Sequence, residues 1–161
     1  MGQIIVRAAT PADVPGMARV HVQAWQETYR GMGIDDELDD PGFIERRKRT
    51  WTLMLSDPRF TAYRIAVAEH GGEIVGIAQA GPSRDDDAAH PWQLYVLYLL
   101  AAHHGSGAGQ RMLDAVLGDE PSVLWVADPN PRAQAFYRRN GFVADGRELV
   151  DGLREIRMVR G

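Results

Sequence analysis

The 161-residue chain contains no cysteine. That absence excludes disulfides, thiolate metal sites and a covalent thiol nucleophile, and it suits a reducing compartment. Lysine is almost missing as well: of 18 basic residues only Lys48 is a lysine. Long apolar runs are lacking. The stretch Leu94 to Ala102 is the longest uncharged apolar run near the middle, with 9 residues, where a bilayer crossing needs about 20. The opening MGQIIVRAATPAD has no basic segment followed by an apolar one, so nothing there reads as an export signal. The expectation is a soluble, cytoplasmic protein without membrane contact. A basic excess is lacking too, since 18 basic and 22 acidic residues leave a net charge of −4. The one dense basic cluster, Glu45-Arg46-Arg47-Lys48-Arg49, has the period of a solvated helix face. Nucleic acid is therefore not the expected partner.

What is present is an ordinary globular composition, with 45% hydrophobic and 25% charged residues. The length suits one domain over residues 1–161, large enough to bury about two thirds of its unfolded surface. Gln3 to Ala8 alternates as a strand. Thr10-Pro11-Ala12-Asp13 starts a helix to about Tyr29, with a capping hydroxyl, an early proline and an acid near the positive dipole end. Met17, Val20 and Ala24 share its apolar face. Gly31 to Pro41 reads as an acidic loop, and Phe43 to Ser56 as a helix ended by Asp57-Pro58. Phe60 to Glu69 and Glu73 to Ala80 form a hairpin around His70-Gly71-Gly72. After a polar loop from Gly81 to Pro91, Gln93 to Leu100 reads as a buried central strand. A helix over Gly107 to Leu117, a strand over Ser122 to Ala127 and a helix over Pro131 to Asn140, closed by Gly141, follow. Phe142 to Val150 and Leu153 to Val159 pair around Asp151-Gly152. The order βααββ-βαβα-ββ predicts an α/β fold with a mixed, mostly antiparallel sheet flanked by helices.

Two segments carry chemistry. In His103-His104-Gly105-Ser106-Gly107-Ala108-Gly109-Gln110, three glycines stand between a buried strand and a helix. Backbone amides there can approach an anion at a helix N-terminus. A glycine-rich turn packed on a neighbouring strand would look the same. The dinucleotide fingerprint fails because Gln110 occupies its third glycine position, and the Gly-Lys-Ser/Thr of a Walker A loop is absent. The nucleophile elbow fails because Ser106 is flanked at two residues by His104 and Ala108. The second segment is Asn130 to Phe142, with Ala133, Phe136, Tyr137 and Gly141 between.

Together the two segments resemble the GNAT superfamily of acyl-CoA-dependent N-acetyltransferases. That family's Q/R-x-x-G-x-G/A signature corresponds to the stretch from His104 to Gly109. Its N-x-x-A-x-x-F-Y-x-x-x-G-F signature is matched by Asn130, Ala133, Phe136, Tyr137, Gly141 and Phe142. The resemblance implies acetyl-CoA as co-substrate and no metal. The amides of His104, Gly105, Ser106, Gly107, Ala108 and Gly109 would hold the CoA pyrophosphate. The backbone of Leu97, Tyr98 and Leu99 would line the pantetheine arm, with the Leu97 amide facing the acetyl carbonyl. Asn130 and Ala133 would border the arm, and Tyr137 would protonate the leaving thiolate. A tyrosine hydroxyl, with a pKa near about 10, can donate to a thiolate at neutral pH. Without cysteine, direct attack by an amine is favoured over an acyl-enzyme.

The chain departs from the family pattern in three places, one of them Ala101-Ala102, where a proline often follows the strand. His104 replaces the usual glutamine or arginine. Gln93 stands where some members carry a general-base glutamate, and it cannot take a proton. Trp25 and Tyr29, one helical turn apart, and Tyr95, taken to share a strand face with Gln93 and Leu97, are the further acceptor-site candidates, with plain packing as the competing reading. His21 reads as a partly buried helix residue. His103 and His104 make a poor metal pair. The acidic runs Asp35 to Asp40 and Asp85 to Asp87 could draw in a cation. The expected acceptor is a small-molecule primary amine. A peptide or protein amine, or a non-catalytic acyl-CoA sensor, are the alternatives, and homodimerisation is left open.

Overall fold

The computed structural model describes residues 2–87 and 90–161. In chain order the elements are β1 (Ile5–Ala8), α1 (Val14–Tyr29), α2 (Asp35–Leu38), α3 (Phe43–Ser56), β2 (Arg64–His70), β3 (Glu73–Pro82), β4 (Trp92–Leu99), α4 (Ala108–Val116), β5 (Ser122–Ala127), α5 (Pro131–Arg139), β6 (Val143–Asp151) and β7 (Leu153–Arg160). This is the α/β order read from the sequence, with α2 added. Helix α2 lies inside the expected loop. Ile34 and Leu38, four residues apart, bury one side of its single turn, and the crowd of carboxylates around them hides that spacing. Strand β2 begins at Arg64 rather than Phe60, because Pro58–Phe60 forms a 3₁₀ turn. Asp57 caps that turn, accepting from the Arg59 amide at 2.9 Å. The loop predicted over Gly81–Pro91 is shorter, since residues 81 and 82 extend β3; its residues 88 and 89 lie outside the described ones.

The strands form one 7-stranded sheet in the order β1-β2-β3-β4-β5-β7-β6. Every pair is antiparallel except β4 and β5. Strands that follow one another through tight turns pair antiparallel at little loop cost, whereas a parallel pair needs a crossover. Here α4 supplies it. Helix α1 buries Met17, Val20 and Ala24 as its periodicity predicts, and α4 buries Met112, Leu113 and Val116 on the core side. Contact with α4 is close at Gly76 of β3, where a Cβ would stand 2.9 Å from Met112 Cε. A second apolar cluster joins Tyr29, Ile34, Leu38 and Phe43 to Ala127 and Leu153, tying α1, α2 and α3 to the far ends of β5 and β7.

Two irregularities in β4 make the site. The first is a bulge. Gln79 pairs with Val96 but Ala80 pairs with Leu94, which leaves Tyr95 as an extra residue on β4. The second is a parting of strands. β4 pairs with β5 only through Trp92–Ser122, Gln93–Val123 and Leu94–Leu124. Beyond Leu94 the two strands separate.

The start of α1 is held electrostatically. Asp13 accepts from the Thr10 amide at 2.8 Å, and Arg7 of β1 donates to both of its oxygens at 2.8 and 2.9 Å. The Arg7 hydrogen bonds, opposed by burial, hold the Asp13 carboxyl down at about 2. A depressed carboxylate stabilises the fold above its unfolded pKa and loses that contribution as pH falls through the native value. Asp13→Asn should therefore lower unfolding free energy by about 1–2 kcal/mol at pH 7. The gap between variant and wild type should shrink between pH 4 and pH 2, as followed by urea titration.

Candidate functional site

Parting strands leave backbone groups without partners, and an unpaired buried amide or carbonyl is costly. The Leu100 amide donates to the Val75 carbonyl at 3.0 Å. Alternation along the strand then turns the backbone groups of Leu97 and Leu99 away from β3 and into the gap. The gap opens into a cleft of about 830 Å³ that passes between the two faces of the sheet. One mouth is built from α4 and α5, with His104, Gly105, Gly107, Gly109, Arg132, Ala133, Phe136 and Tyr137. The other is built from α1, α2 and the β6–β7 hairpin, with Trp25, Tyr29, Glu37, Asp151, Leu153 and Glu155.

The glycine loop fits an anion. Gly105 and Gly107 have φ of 80° and 85°, with open space around the position of a Cβ. Among the described residues the amides of Gly105, Gly107, Gly109 and Gln110 have no acceptor. The first three belong to the expected cradle. Ser106 and Ala108 do not behave as expected. The Ser106 amide donates to the His103 carbonyl at 3.3 Å, and the Ala108 amide to Ser106 Oγ at 3.3 Å. Both are used in closing the turn, and neither residue lines the cleft. The His104 amide is likewise taken, by the Ala101 carbonyl, and its Nε2 donates to the Leu99 carbonyl at 2.9 Å. His104 thus blocks one of the Leu99 backbone groups that the resemblance reserves for a ligand, leaving the Leu99 amide and its own Nδ1.

Helix α5 presents the second segment. Asn130 caps it, its Oδ1 accepting from the Ala133 amide at 3.4 Å, and the rest of its side chain borders the cleft. Gln134 anchors the helix by donating to the Ala127 carbonyl and to Asp128, each at 3.1 Å. Gln110 of α4 donates to Asn140 at 2.8 Å and fixes α4 against α5. Tyr137 is buried between Phe136 and Phe142, with ring centroids 5.6 and 6.0 Å away. Burial, with a smaller contribution from Tyr98, pushes its hydroxyl well above the usual tyrosine value. It stays protonated and able to donate. Tyr98 rises for the same first reason.

The acceptor candidates separate. Trp25 and Tyr29 pack edge to face at 5.3 Å, as the packing reading expects, and both also line the cleft. Tyr95 lines it too, but its hydroxyl donates to the Pro82 carbonyl at 2.5 Å, and its ring stacks on Tyr63. Burial raises that hydroxyl to about 12. The bulge puts Tyr95 on the opposite face from Leu97, because the extra residue breaks the alternation that a regular strand would give. Gln93 lies outside the cleft. It is buried, and its Oε1 accepts from Ser83 Oγ at 3.4 Å and from the Arg84 amide at 3.3 Å. It braces the β3–β4 connection. His21 is buried against Tyr98, 5.2 Å between rings, and burial drives its pKa to about 3, so it is a poor base.

Half of the carboxylates in the two acidic runs are neutralised. Arg157, buried, bonds Asp87 at 2.8 Å and Asp145 at 2.6 Å, and lies 3.4 Å from Asp85. Arg147 also pairs with Asp87, and Trp125 Nε1 donates to Asp85 at 3.0 Å. Asp39 pairs with Arg30 and Asp40 with Arg46. The cleft's own carboxylates are Glu37, Asp151 and Glu155. The last two escape a sequence reading because a turn residue and a strand residue signal only a hairpin. Arg132 and Arg139 are missed at the opposite mouth, since both look like a solvated helix face. Among the described residues no group of three potential metal ligands occurs, and no helix is long and apolar enough to cross a membrane.

Comparison with known proteins agrees with this geometry. Residues 61–144 match the acetyltransferase (GNAT) domain family. The chain is 37% identical over 152 residues to an uncharacterized N-acetyltransferase of Mycobacterium bovis, covering 91% of this chain and 83% of the relative. It is 30% identical over 156 residues to a probable N-acetyltransferase of Mycobacterium tuberculosis, covering 91% and 84%. Among solved structures, PaiA N-acetyltransferase from Thermoplasma acidophilum, in complex with coenzyme A, aligns with a TM-score of 0.73 at 17% identity over 96% of this chain and 98% of that one. A histone acetyltransferase HPA2-related acetyltransferase from Corynebacterium glutamicum aligns with a TM-score of 0.73 at 26% identity over 99% and 96%.

The loop geometry makes Gly107 a sensitive position. A side chain at its φ of 85° costs about 1–2 kcal/mol of strain and would stand among the free amides. Gly107→Val should retain the fold and lose more than tenfold in affinity for CoA by calorimetry. Unchanged affinity would show that the loop does not hold the ligand's phosphates.

Proposed function

As the chain belongs to the GNAT acetyltransferase family, we propose that it transfers the acetyl group of acetyl-CoA to a primary amine of a small cationic molecule. The observation that carries this reading is the division of charge along the cleft. His104, Arg132, Arg139 and free loop amides surround one mouth, and Glu37, Asp151 and Glu155 surround the other. A polyanionic donor suits the first and an ammonium-bearing acceptor the second. The narrow passage between them is edged by the backbone of Leu97 and Leu99 and by Tyr137.

Chemistry in such a passage needs few groups. The amide of Leu97, directed into the gap, can donate to the thioester carbonyl as charge develops on its oxygen. The Leu99 amide can bond the pantetheine arm as a missing strand would. The nitrogen of the acceptor attacks the carbonyl carbon, and the C–S bond breaks as the tetrahedral species collapses. Tyr137 then donates its proton to the departing thiolate. Burial keeps the hydroxyl protonated and so available as a hydrogen-bond donor to the thiolate; it also makes it a weaker acid, so the proton passes as the nitrogen's second proton replaces it.

The test is CoA thiol release from acetyl-CoA with a panel of alkylamines, diamines, amino acids and short peptides. Turnover of small cationic amines is expected. Preference for peptides would favour a protein acceptor, and CoA binding without turnover would favour a sensor. With the best amine, and chemistry limiting the rate, Tyr137→Phe should lower kcat by about 10²-fold with little change in CoA affinity. The deficit should shrink for a thioester whose thiol has a lower pKa. Full activity of the variant would leave the tyrosine as a wall of the cleft.

A further inference from the structure

The acceptor must lose a proton before it can attack, and neither the strand-start position of the family's glutamate nor the buried histidine of α1 supplies a base. Gln93 cannot titrate and lies outside the cleft, and His21 is a poor base outside it as well. Strand register points elsewhere. Leu94 of β4 and Leu124 of β5 are the last partners before the strands part. The bulge at Tyr95 takes up one residue of β4, so Leu97, three residues on, stands across the gap from the Val126–Ala127 end of β5. Ala127 pairs directly with Glu155 of β7. Ala127 and Leu153, the latter two residues before Glu155 on the same strand face, both belong to the apolar cluster under α1 and α2. The Glu155 side chain therefore enters the cleft on the acceptor side, within about one residue step of the level of the Leu97 amide that would face the thioester. We propose that Glu155 is the general base that removes a proton from the acceptor ammonium, a role that rests on the acetyl-transfer reading above.

Its surroundings suit the task. Among the described residues the Glu155 carboxylate makes no hydrogen bond and no ion pair, although the arginine next to it in sequence, Arg154, pairs with both Asp128 and Glu148. The groups facing this part of the cleft are Tyr29 on α1, Glu37 on α2, Tyr98 on β4, Tyr137 on α5 and Asp151 at the hairpin, with Arg47 of α3 lying behind Trp25 and Phe43. None of the groups lining this mouth is basic. Burial, and then the charge of Asp151, raise the Glu155 carboxyl above its ordinary value. Such a carboxylate has a stronger pull on a proton than a solvated one.

The protons balance as follows. The acceptor enters as R–NH₃⁺, and Glu155 takes one proton, later released to water. The freed lone pair forms the C–N bond, and the C–S bond breaks with its electron pair on sulfur. The thiolate takes the Tyr137 proton, and the second proton lost by nitrogen restores the tyrosine. One amide, one thiol and one released proton result.

The experiment uses the best amine of the panel above beside 2,2,2-trifluoroethylamine, which is largely neutral at pH 7. For Glu155→Gln with the charged amine, kcat/KM at pH 7 should fall about 10²-fold. The acid limb, set in the wild type by the carboxylate, should be replaced by a unit slope that climbs to the amine's own pKa. With the neutral amine the deficit should be under tenfold. CoA affinity should be unchanged. A carboxyl whose folded pKa is raised costs stability above that pKa, so the variant should be at least as stable as wild type at pH 7. Equal deficits with both amines, or a wild-type pH profile in the variant, would overturn the proposal while leaving acetyl transfer intact. Absence of turnover by the wild type with every amine would overturn both.

Discussion

Everything at the site depends on a parallel pair of strands that stays together for three residues and then separates. Backbone hydrogen bonding is normally satisfied strand against strand, and a sheet that opens in its middle forgoes several bonds at once. Among the described residues, the backbone groups of Leu97 and the amide of Leu99 are left pointing into the gap, and only the Leu99 carbonyl finds a partner, on His104. The opening survives because both sides are held from behind. Strand β4 is paired with β3 along its length, and β5 is paired with β7 along its own. Helices α4 and α5, joined by Gln110 and Asn140, brace the lower mouth, while the cluster around Tyr29 and Phe43 braces the upper one. The unmet hydrogen-bonding capacity is what a ligand with amide groups along an extended arm can take up.

Charge is arranged around that opening with economy. Several acidic residues are tied to arginines, and the densest of these networks surrounds the buried Arg157. Breaking such a buried network would leave uncompensated carboxylates, so it holds the β3–β4 connection against β6 and β7. The effect on function is subtractive. With Asp85, Asp87, Asp39 and Asp40 paired, the carboxylates that line the cleft itself are Glu37, Asp151 and Glu155. Charge density in the sequence and charge available to a ligand are different quantities, and here half of the carboxylates in the two acidic runs are tied to arginines.

Much of the molecule was legible beforehand because the relevant forces are local. The apolar face of α1, the Asp57-Pro58 stop, the Asp151-Gly152 turn and the glycine loop before α4 each follow from side chains within a few residues. The two signatures also located Asn130, Ala133, Tyr137 and the free amides of Gly105, Gly107 and Gly109. A motif marks a loop as a unit, whereas this loop uses the Ser106 and Ala108 amides in its own closure and leaves those of Gly105, Gly107 and Gly109 free. Gln93 was misjudged because a position in a pattern says nothing of where the Ser83 hydroxyl and Arg84 amide will be.

By itself the sequence determined most of the elements, their order and the chemical family, since periodicity, turn chemistry and two short motifs are encoded over short stretches. Tertiary structure alone decided which groups share the cleft. The bulge at Tyr95 reversed the face of one candidate. The insertion of β7 between β5 and β6 brought Glu155 to the same cleft as Leu97, although the two stand 58 positions apart in the chain of 161 residues. Strand order in a sheet is fixed by long-range pairing and by burial on both faces, and no local pattern in β4 or in β7 carries that information.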